Sequence, residues 1–394
     1  MWFSAANTPP SSRPPKSRKD NPLLSTTPTW AEVSLKSLKS NFKALQKLAK
    51  GARILPVVKA NAYGHGAVAV SRGLIQAGAD FLAVAFVQEG VALREAGIKV
   101  PILVLTPTLP LEIPILLKYR LIPQVSSVEG AKEISKTARK MRIREVPVHV
   151  KLDTGMARVG FRPSRFVQEM KSIRRVPGIK IAGFYTHLAT ADWTDPKFAW
   201  GQITLFRQTL EKVLDHGPLP STHVANSAAL ITYYPQSKGT WVRPGIALYG
   251  VYPNPRMKNQ VKLTPVMQVK TRVLHTKALD KGESISYGRT YRAKKRMKVA
   301  TLGMGYADGL LRSLSNKGSF LIRGKKVPIV GTVCMDMTMV DVSLVPGVAQ
   351  GDVATFFGRD GRAGLSVEEQ AATAGTISYE LLCAVSQRVP RIYL

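Results

Sequence analysis

The residue whose type and setting first suggest chemistry is Lys59. It closes the apolar run Ile54–Val58, inside Val57-Val58-Lys59-Ala60-Asn61-Ala62-Tyr63-Gly64-His65-Gly66. A lysine at the edge of an apolar core loses hydration, and this favours the neutral amine. The neutral amine is the form that makes a Schiff base with an aldehyde. For Lys59 taken alone, the alternative is an ordinary strand-end lysine whose ammonium reaches back to water. Two later strand ends, at Asn226-Ser227 and Gly245-Ile246, offer a hydroxyl and backbone amides of the kind that hold a phosphate. The six histidines show no metal-ligand spacing, so no metal is expected. Cys334 and Cys383 read as small buried hydrophobes without a base partner that would mark a nucleophile.

These groups need a scaffold that aligns strand ends. Leu35, Leu38, Phe42, Leu45 and Leu48 recur at spacings of three and four, the signature of an amphipathic helix with lysines opposite. Strands are expected at Ile54–Val58, Phe81–Ala85, Ile102–Leu105, Ile122–Val125, Val146–Leu152, Ile179–Thr186, Thr222–Ala225 and Val242–Leu248. Helical patterns such as Ala67–Ala77 and Glu89–Ala96 separate most of them. Strands alternating with helices in this way imply a (β/α)8 TIM-like barrel of α/β class. A doubly wound open sheet is the alternative, but no Gly-rich dinucleotide turn follows the first strand. Beyond about Pro253 the segments shorten and helical spacing fades, which reads as a predominantly β domain closed by helices over Val367–Ala374 and near Tyr379–Val385. The expected organisation is a disordered basic extension at 1–28, a barrel at 29–256 and a C-terminal β domain at 257–394.

The string around Lys59 resembles the pyridoxal-phosphate signature of the alanine racemase family. The resemblance runs from Trp30 to Leu394 through Lys151-Leu152-Asp153-Thr154-Gly155-Met156-Ala157-Arg158, Thr186-His187, Asn226-Ser227 and Arg243-Pro244-Gly245. It continues in Ser286-Tyr287-Gly288-Arg289, Gly305-Tyr306-Ala307-Asp308-Gly309, Cys334-Met335-Asp336 and Tyr379-Glu380. It implies a pyridoxal 5′-phosphate-dependent isomerase that interconverts L- and D-alanine with two bases and supplies D-alanine for peptidoglycan. By this resemblance Lys59 carries the cofactor and serves one face of the substrate, and Tyr287 of a partner subunit serves the other. Tyr63, Ser227, Gly245, Ile246 and Tyr379 hold the phosphate. Arg243 faces the pyridine nitrogen and, with His187, assists Tyr287. Arg158, Met335 and Tyr306 approach the substrate, and Lys151 is expected to be carbamylated. One departure stands beside Arg158: the family's usual glycine is Ala157, which puts the carboxylate fit in question. A broad-specificity racemase of the same fold, and a decarboxylase on the same plan, are the rival enzymes. A small single-barrel pyridoxal-phosphate-binding protein is the non-enzymatic rival, though it would lack the β domain.

Bulk properties bound the rest. The chain has 394 residues, enough for two domains, and no apolar run long enough to span a membrane. Residues 1–28 lack a basic start followed by an apolar core, and two cysteines cannot build a disulfide framework, so a reducing cytoplasmic setting is expected. The unusual feature is charge: 57 Lys and Arg against 25 Asp and Glu, a net +32. It lies on helix faces such as Lys36, Lys39, Lys43 and Lys47 and in the run Lys294-Lys295-Arg296, without a nucleic-acid-binding motif. The expectation is a basic solvated surface with no specific nucleic-acid partner and only weak, salt-sensitive attraction to polyanions.

Overall fold

The computed structural model describes residues 27–394 except 215–219, 235–236 and 238. Most of the extension expected at 1–28 therefore lies outside the described residues. The described residues divide into two compact units, one within 34–267 and 377–384, the other of 27–33 with 268–376 and 385–394.

The first strand, β1 (Thr29–Val33), belongs to the second of these units, where it pairs in parallel with Arg391–Tyr393. The first unit holds eight parallel strands: β2 (Arg53–Ile54), β3 (Leu82–Val84), β4 (Ile102–Val104), β5 (Ile122–Val125), β6 (Val146–Lys151), β7 (Ile179–Tyr185), β8 (Ser221–Asn226) and β9 (Trp241–Arg243). Their order is β2-β9-β8-β7-β6-β5-β4-β3. A parallel bridge from Val57 to Ala83 joins the two ends, with Val58 N–H donating to Ala83 O at 2.8 Å. The expected barrel forms.

Its first helix, Leu35–Leu48, starts where the Ser34 side chain accepts from Ser37 N–H, and buries Leu38, Phe42 and Leu45 as their spacing predicts. Buried Asn41 on the same face is satisfied by Leu248 O, Thr264 O and Thr264 N–H.

Prolines shorten two strands relative to expectation. The run Ile54–Val58 is strand only at Arg53–Ile54 and at the Val57 bridge, with Pro56 between. The run Val242–Leu248 ends as strand at Arg243; Pro244 and Gly245 turn the chain into a 3-10 helix over Ile246–Tyr249. Proline has no N–H to give a ladder. Both interruptions fall at carboxyl ends of barrel strands.

The strand-rich unit is built on the thirteen-residue strand β10 (Met267–Leu279). It pairs antiparallel with Met297–Leu302 and with Val353–Asp360. Thr29 Oγ1 ties β1 into this sheet by donating to Gly303 O at 2.6 Å. The helix Val367–Ala374 forms as expected. The second closing helix, Ser378–Ala384, groups instead with the barrel, because Gly64 packs so closely on Leu382 O that a Cβ there would collide with it.

Candidate active site

The barrel's carboxyl ends gather ten of the residues singled out from the sequence. Lys59 begins the short helix Lys59–Tyr63, in which Ala60, Asn61, Ala62 and Tyr63 all have φ between 52° and 54°. Four consecutive left-handed non-glycine residues cost roughly 1–2 kcal/mol each, so local bonds must hold the turn. Glu89 supplies one of them: its carboxylate accepts from Ala60 N–H at 2.5 Å. From its other oxygen it also accepts from Ala85 N–H at 2.7 Å and Phe86 N–H at 3.1 Å, which ties the turn to the start of the helix Val87–Glu95. Asn61 Oδ1 adds a bond from Ala67 N–H at 2.8 Å. The Lys59 amine is half-buried, and burial with the nearby Arg158 lowers its pKa, while Glu89 pulls the other way.

Arg243 is 4% exposed. Its guanidinium donates to His223 Nδ1 at 2.8 Å, to His223 O, to Thr186 O at 2.6 Å and to Val224 O at 3.3 Å. Every partner is uncharged. Burial lowers its pKa only to about 10, so it stays a cation at neutral pH. Since guanidinium can only donate, His223 Nδ1 must accept, which puts the His223 proton on Nε2, 2.7 Å from His149 Nδ1. Burial and Arg243 hold both imidazoles neutral, and burial with four surrounding cations does the same to His187.

Lys151 is buried, and desolvation together with Arg158 and Arg243 lowers its pKa to about 8. Arg158 follows Ala157, whose φ of 55° explains why a glycine would suit that position. The loop is held by Asp153 Oδ1, which accepts from Gly155, Met156 and Ala157 N–H at 2.9 to 3.1 Å.

At the next strand ends, Ser227 Oγ accepts from Gly245 N–H at 2.9 Å and Ala247 N–H at 3.3 Å. Asn226 rather than Ser227 caps the helix Ser227–Thr232, accepting from Ala229 N–H at 3.0 Å. The Ser227 hydroxyl is thereby left to face the 3-10 turn. The two amides and the hydroxyl they meet are the donor types that hold an oxyanion, gathered at neighbouring strand ends. The Tyr63 hydroxyl lies against Gly245, where any Cβ would strike it, and the Tyr63 ring sits 6.1 Å from that of half-buried Tyr379.

The remaining three residues lie in the strand-rich unit. Tyr287 is 73% exposed on a turn in which Ser286, Gly288 and Arg289 all have positive φ. Thr332 Oγ1 donates to Tyr287 O at 2.9 Å, and Ser286 Oγ donates to Thr332 O at 2.6 Å. Tyr306 N–H and Ala307 N–H donate to Cys334 O and Met335 O, both at 3.0 Å, so Tyr306 and Met335 are locked side by side and exposed. Asp308 supports that turn by accepting from Gly305 N–H at 2.9 Å and from Arg388 Nε at 2.6 Å.

Both halves of the chain match known families. Residues 33–253 match the alanine racemase N-terminal domain and residues 266–393 the alanine racemase C-terminal domain. The chain belongs to the alanine racemase family. An alanine racemase of Halothermothrix orenii is 44% identical, covering 93% of this chain and 97% of the relative. The crystal structure of alanine racemase from Bacillus anthracis with bound L-Ala-P superimposes with a TM-score of 0.87 at 37% identity, over 93% of this chain and 95% of that one. Alanine racemase from Bartonella henselae with covalently bound pyridoxal phosphate gives 0.84 at 27% identity, over 93% and 100%. The family is an isomerase family that depends on pyridoxal phosphate, and its match disfavours the broad-specificity alternative.

The residues present fit that cofactor: an amine at Lys59, buried N–H donors at Arg243 and phosphate-type donors at Ser227, Gly245 and Ala247 occupy neighbouring strand ends. Several groups that support these residues leave little trace in the sequence. His223 and His149 bind Arg243 and its partner, and their signal was a lone histidine in an otherwise buried strand. Glu89 and Asp153 act on backbone amides, which sequence patterns do not register. Cys383, expected to be buried, is exposed and lies within electrostatic reach of Lys59.

Glu89→Gln loses a charge and keeps one acceptor oxygen where three amides converge. It should reduce kcat/KM about tenfold, the equivalent of one strong hydrogen bond. Removing the anion that raises the Lys59 pKa should also move the acid limb of the profile to lower pH. A kcat/KM–pH series checks both, and an unmoved acid limb would leave Glu89 a merely structural residue.

Proposed function

We propose that this chain holds pyridoxal 5′-phosphate on Lys59 and interconverts L- and D-alanine, in active sites completed by a second copy of itself. The observation that carries this reading is Arg243, a buried cation with only uncharged partners. A guanidinium cannot take up a proton, so a ring nitrogen held against Arg243 would stay unprotonated and withdraw charge weakly. Such a ring would favour return of the proton to Cα over transamination. An acid in this place would suit other reactions, decarboxylation among them.

When bound, the cofactor supplies an aldehyde carbon that joins the substrate amine and a ring that spreads charge from Cα. Lys59, its pKa lowered by burial and Arg158, takes or returns the proton on one face. Tyr287 from the partner serves the other. A phenol titrates near pH ~10 when unperturbed, so it needs help to act as a base, and we assign that help to neutral His187 together with the Arg243 cation. Ser227, Gly245, Ile246, Tyr63 and Tyr379 hold the phosphate; Arg158, Tyr306 and the Met335 amide orient the substrate carboxylate and close over it. Cytoplasmic action, in keeping with two free cysteines, belongs to the same proposal.

Purified protein supplied with the cofactor should abolish the optical rotation of L-alanine, and unchanged rotation would defeat the reading. Carbon dioxide release from basic amino acids would favour the decarboxylase instead.

Lys151 is the second proposal in this site. An ammonium there repels Arg158, whereas a carbamate would attract and orient it. Enzyme stripped of carbon dioxide should lose roughly tenfold in kcat/KM, one charge-assisted contact's worth, and recover with bicarbonate. Carbamylation needs the neutral amine, so recovery should steepen as pH rises through about 8. Activity indifferent to carbon dioxide would leave Lys151 unmodified.

A further inference from the structure

Beyond Lys59, Lys151, Arg158 and Arg243, the chain's surplus of basic residues, 57 Lys and Arg against 25 Asp and Glu, takes no part in the chemistry above. Barrel topology nevertheless sorts it. Every helix-to-strand loop lands at the amino ends of the strands, opposite the carboxyl ends that carry the catalytic groups. Those loops and strand starts bring Arg53, Lys99, Arg120, Arg142, Arg144 and Arg175 to one face, all exposed. Among the described residues the acids of these loops and of the helix ends that feed them are Asp80, which pairs with Arg53, Glu145, which pairs with Lys180 at 3.1 Å, Glu95, which accepts from the Tyr119 hydroxyl at 2.9 Å, and Glu211. The carboxyl-end loops and first helical turns, by contrast, intersperse Glu89, Glu112, Asp153, Asp192 and Asp195 among their cations. Between the loops that lead into β4, β5 and β6 lies a cleft of about 480 Å³ lined by Lys99, Lys118, Tyr119 and Arg120.

We propose that this amino-end face of the barrel is a docking surface for nucleic acid, reading the phosphodiester backbone without regard to sequence. Arginines on short loops of a rigid barrel match phosphate geometry, and little side-chain order is lost on contact. An anionic bilayer fits less well. Among the described residues Met141, 37% exposed, is the large apolar side chain these loops offer for insertion. Because the face lies at the opposite end of the strands from Lys59, docking leaves the amino-acid site open.

The test measures fluorescence anisotropy of a random-sequence DNA duplex with the full chain across a salt series. Two triple variants carry the same change of charge: Lys99→Glu/Arg120→Glu/Arg142→Glu on the face, and Lys294→Glu/Lys295→Glu/Arg296→Glu in the strand-rich unit. At about 50 mM salt the face variant should bind at least tenfold more weakly, and its salt slope should fall by roughly 2–3 as phosphate contacts are lost. The control variant should bind like the wild type. Unchanged racemisation in both certifies the fold; if the face variant is inactive, Lys99→Gln/Arg120→Gln/Arg142→Gln replaces it. Equal losses in the two variants would overturn the proposal, as would no wild-type binding at that salt. Preference for phosphatidylglycerol vesicles over the duplex would overturn it too.

Discussion

Lys59→Ala protein supplied with pyridoxal phosphate shows no absorbance band near about 420 nm and loses at least ~10⁴-fold in racemisation. Both losses follow from one atom. The amine is the covalent anchor and also the base on one face of Cα, so alanine removes binding and proton transfer together. The fold should survive. Lys59 is only half-buried, and its amine suffers desolvation and repulsion from Arg158, so truncation relieves strain instead of creating it. Thermal melting separates the outcomes: an unchanged Tm with no band supports the assignment, and a band that persists in the variant sinks it.

Subunit mixing should give the second large effect. Tyr287→Phe removes the hydroxyl that serves the other face, and should lower racemisation by about 10³-fold or more. With Lys59 intact, one enantiomer should still exchange its α-hydrogen with solvent, although conversion to the other fails. Tyr287 is 73% exposed, so a single chain has little reason of its own to present this aromatic. If each site takes Lys59 from one protomer and Tyr287 from its partner, mixing inactive Lys59→Ala with inactive Tyr287→Phe regenerates one intact site in every mixed dimer. Random reassociation of a two-fold dimer then restores roughly a quarter of wild-type activity. Each parent alone stays silent. A mixture that also stays silent, although exchange of labelled subunits proves that mixed dimers form, would remove Tyr287 from the shared site.

The two tests probe different links between sequence and site. Lys59 stood out because an ionisable group ended an apolar run, a signal that survives without tertiary structure. Tyr287 carries no such local signal, and only the likeness to a family gives it a role. Ala157 shows a third situation: the departure from glycine was visible in the sequence, but its cost became visible only at φ 55°.

By itself the sequence determined the alternation of strands and helices, since hydrophobic period is a local property and the barrel follows from it. It also determined the chemistry available, because desolvation of Lys59 and the permanent charge of Arg243 depend on residue type and strand position. Tertiary structure alone decided what lies across space. The His149–His223–Arg243 chain joins residues from β6, β8 and β9. The Glu89 clamp on Ala60 joins the starts of two helices, Lys59–Tyr63 and Val87–Glu95, and β1 leaves its neighbours in sequence to pair with Arg391–Tyr393. Such contacts are set by which strand ends meet when the barrel closes and by where proline interrupts a ladder, and neither leaves a periodic trace along the chain.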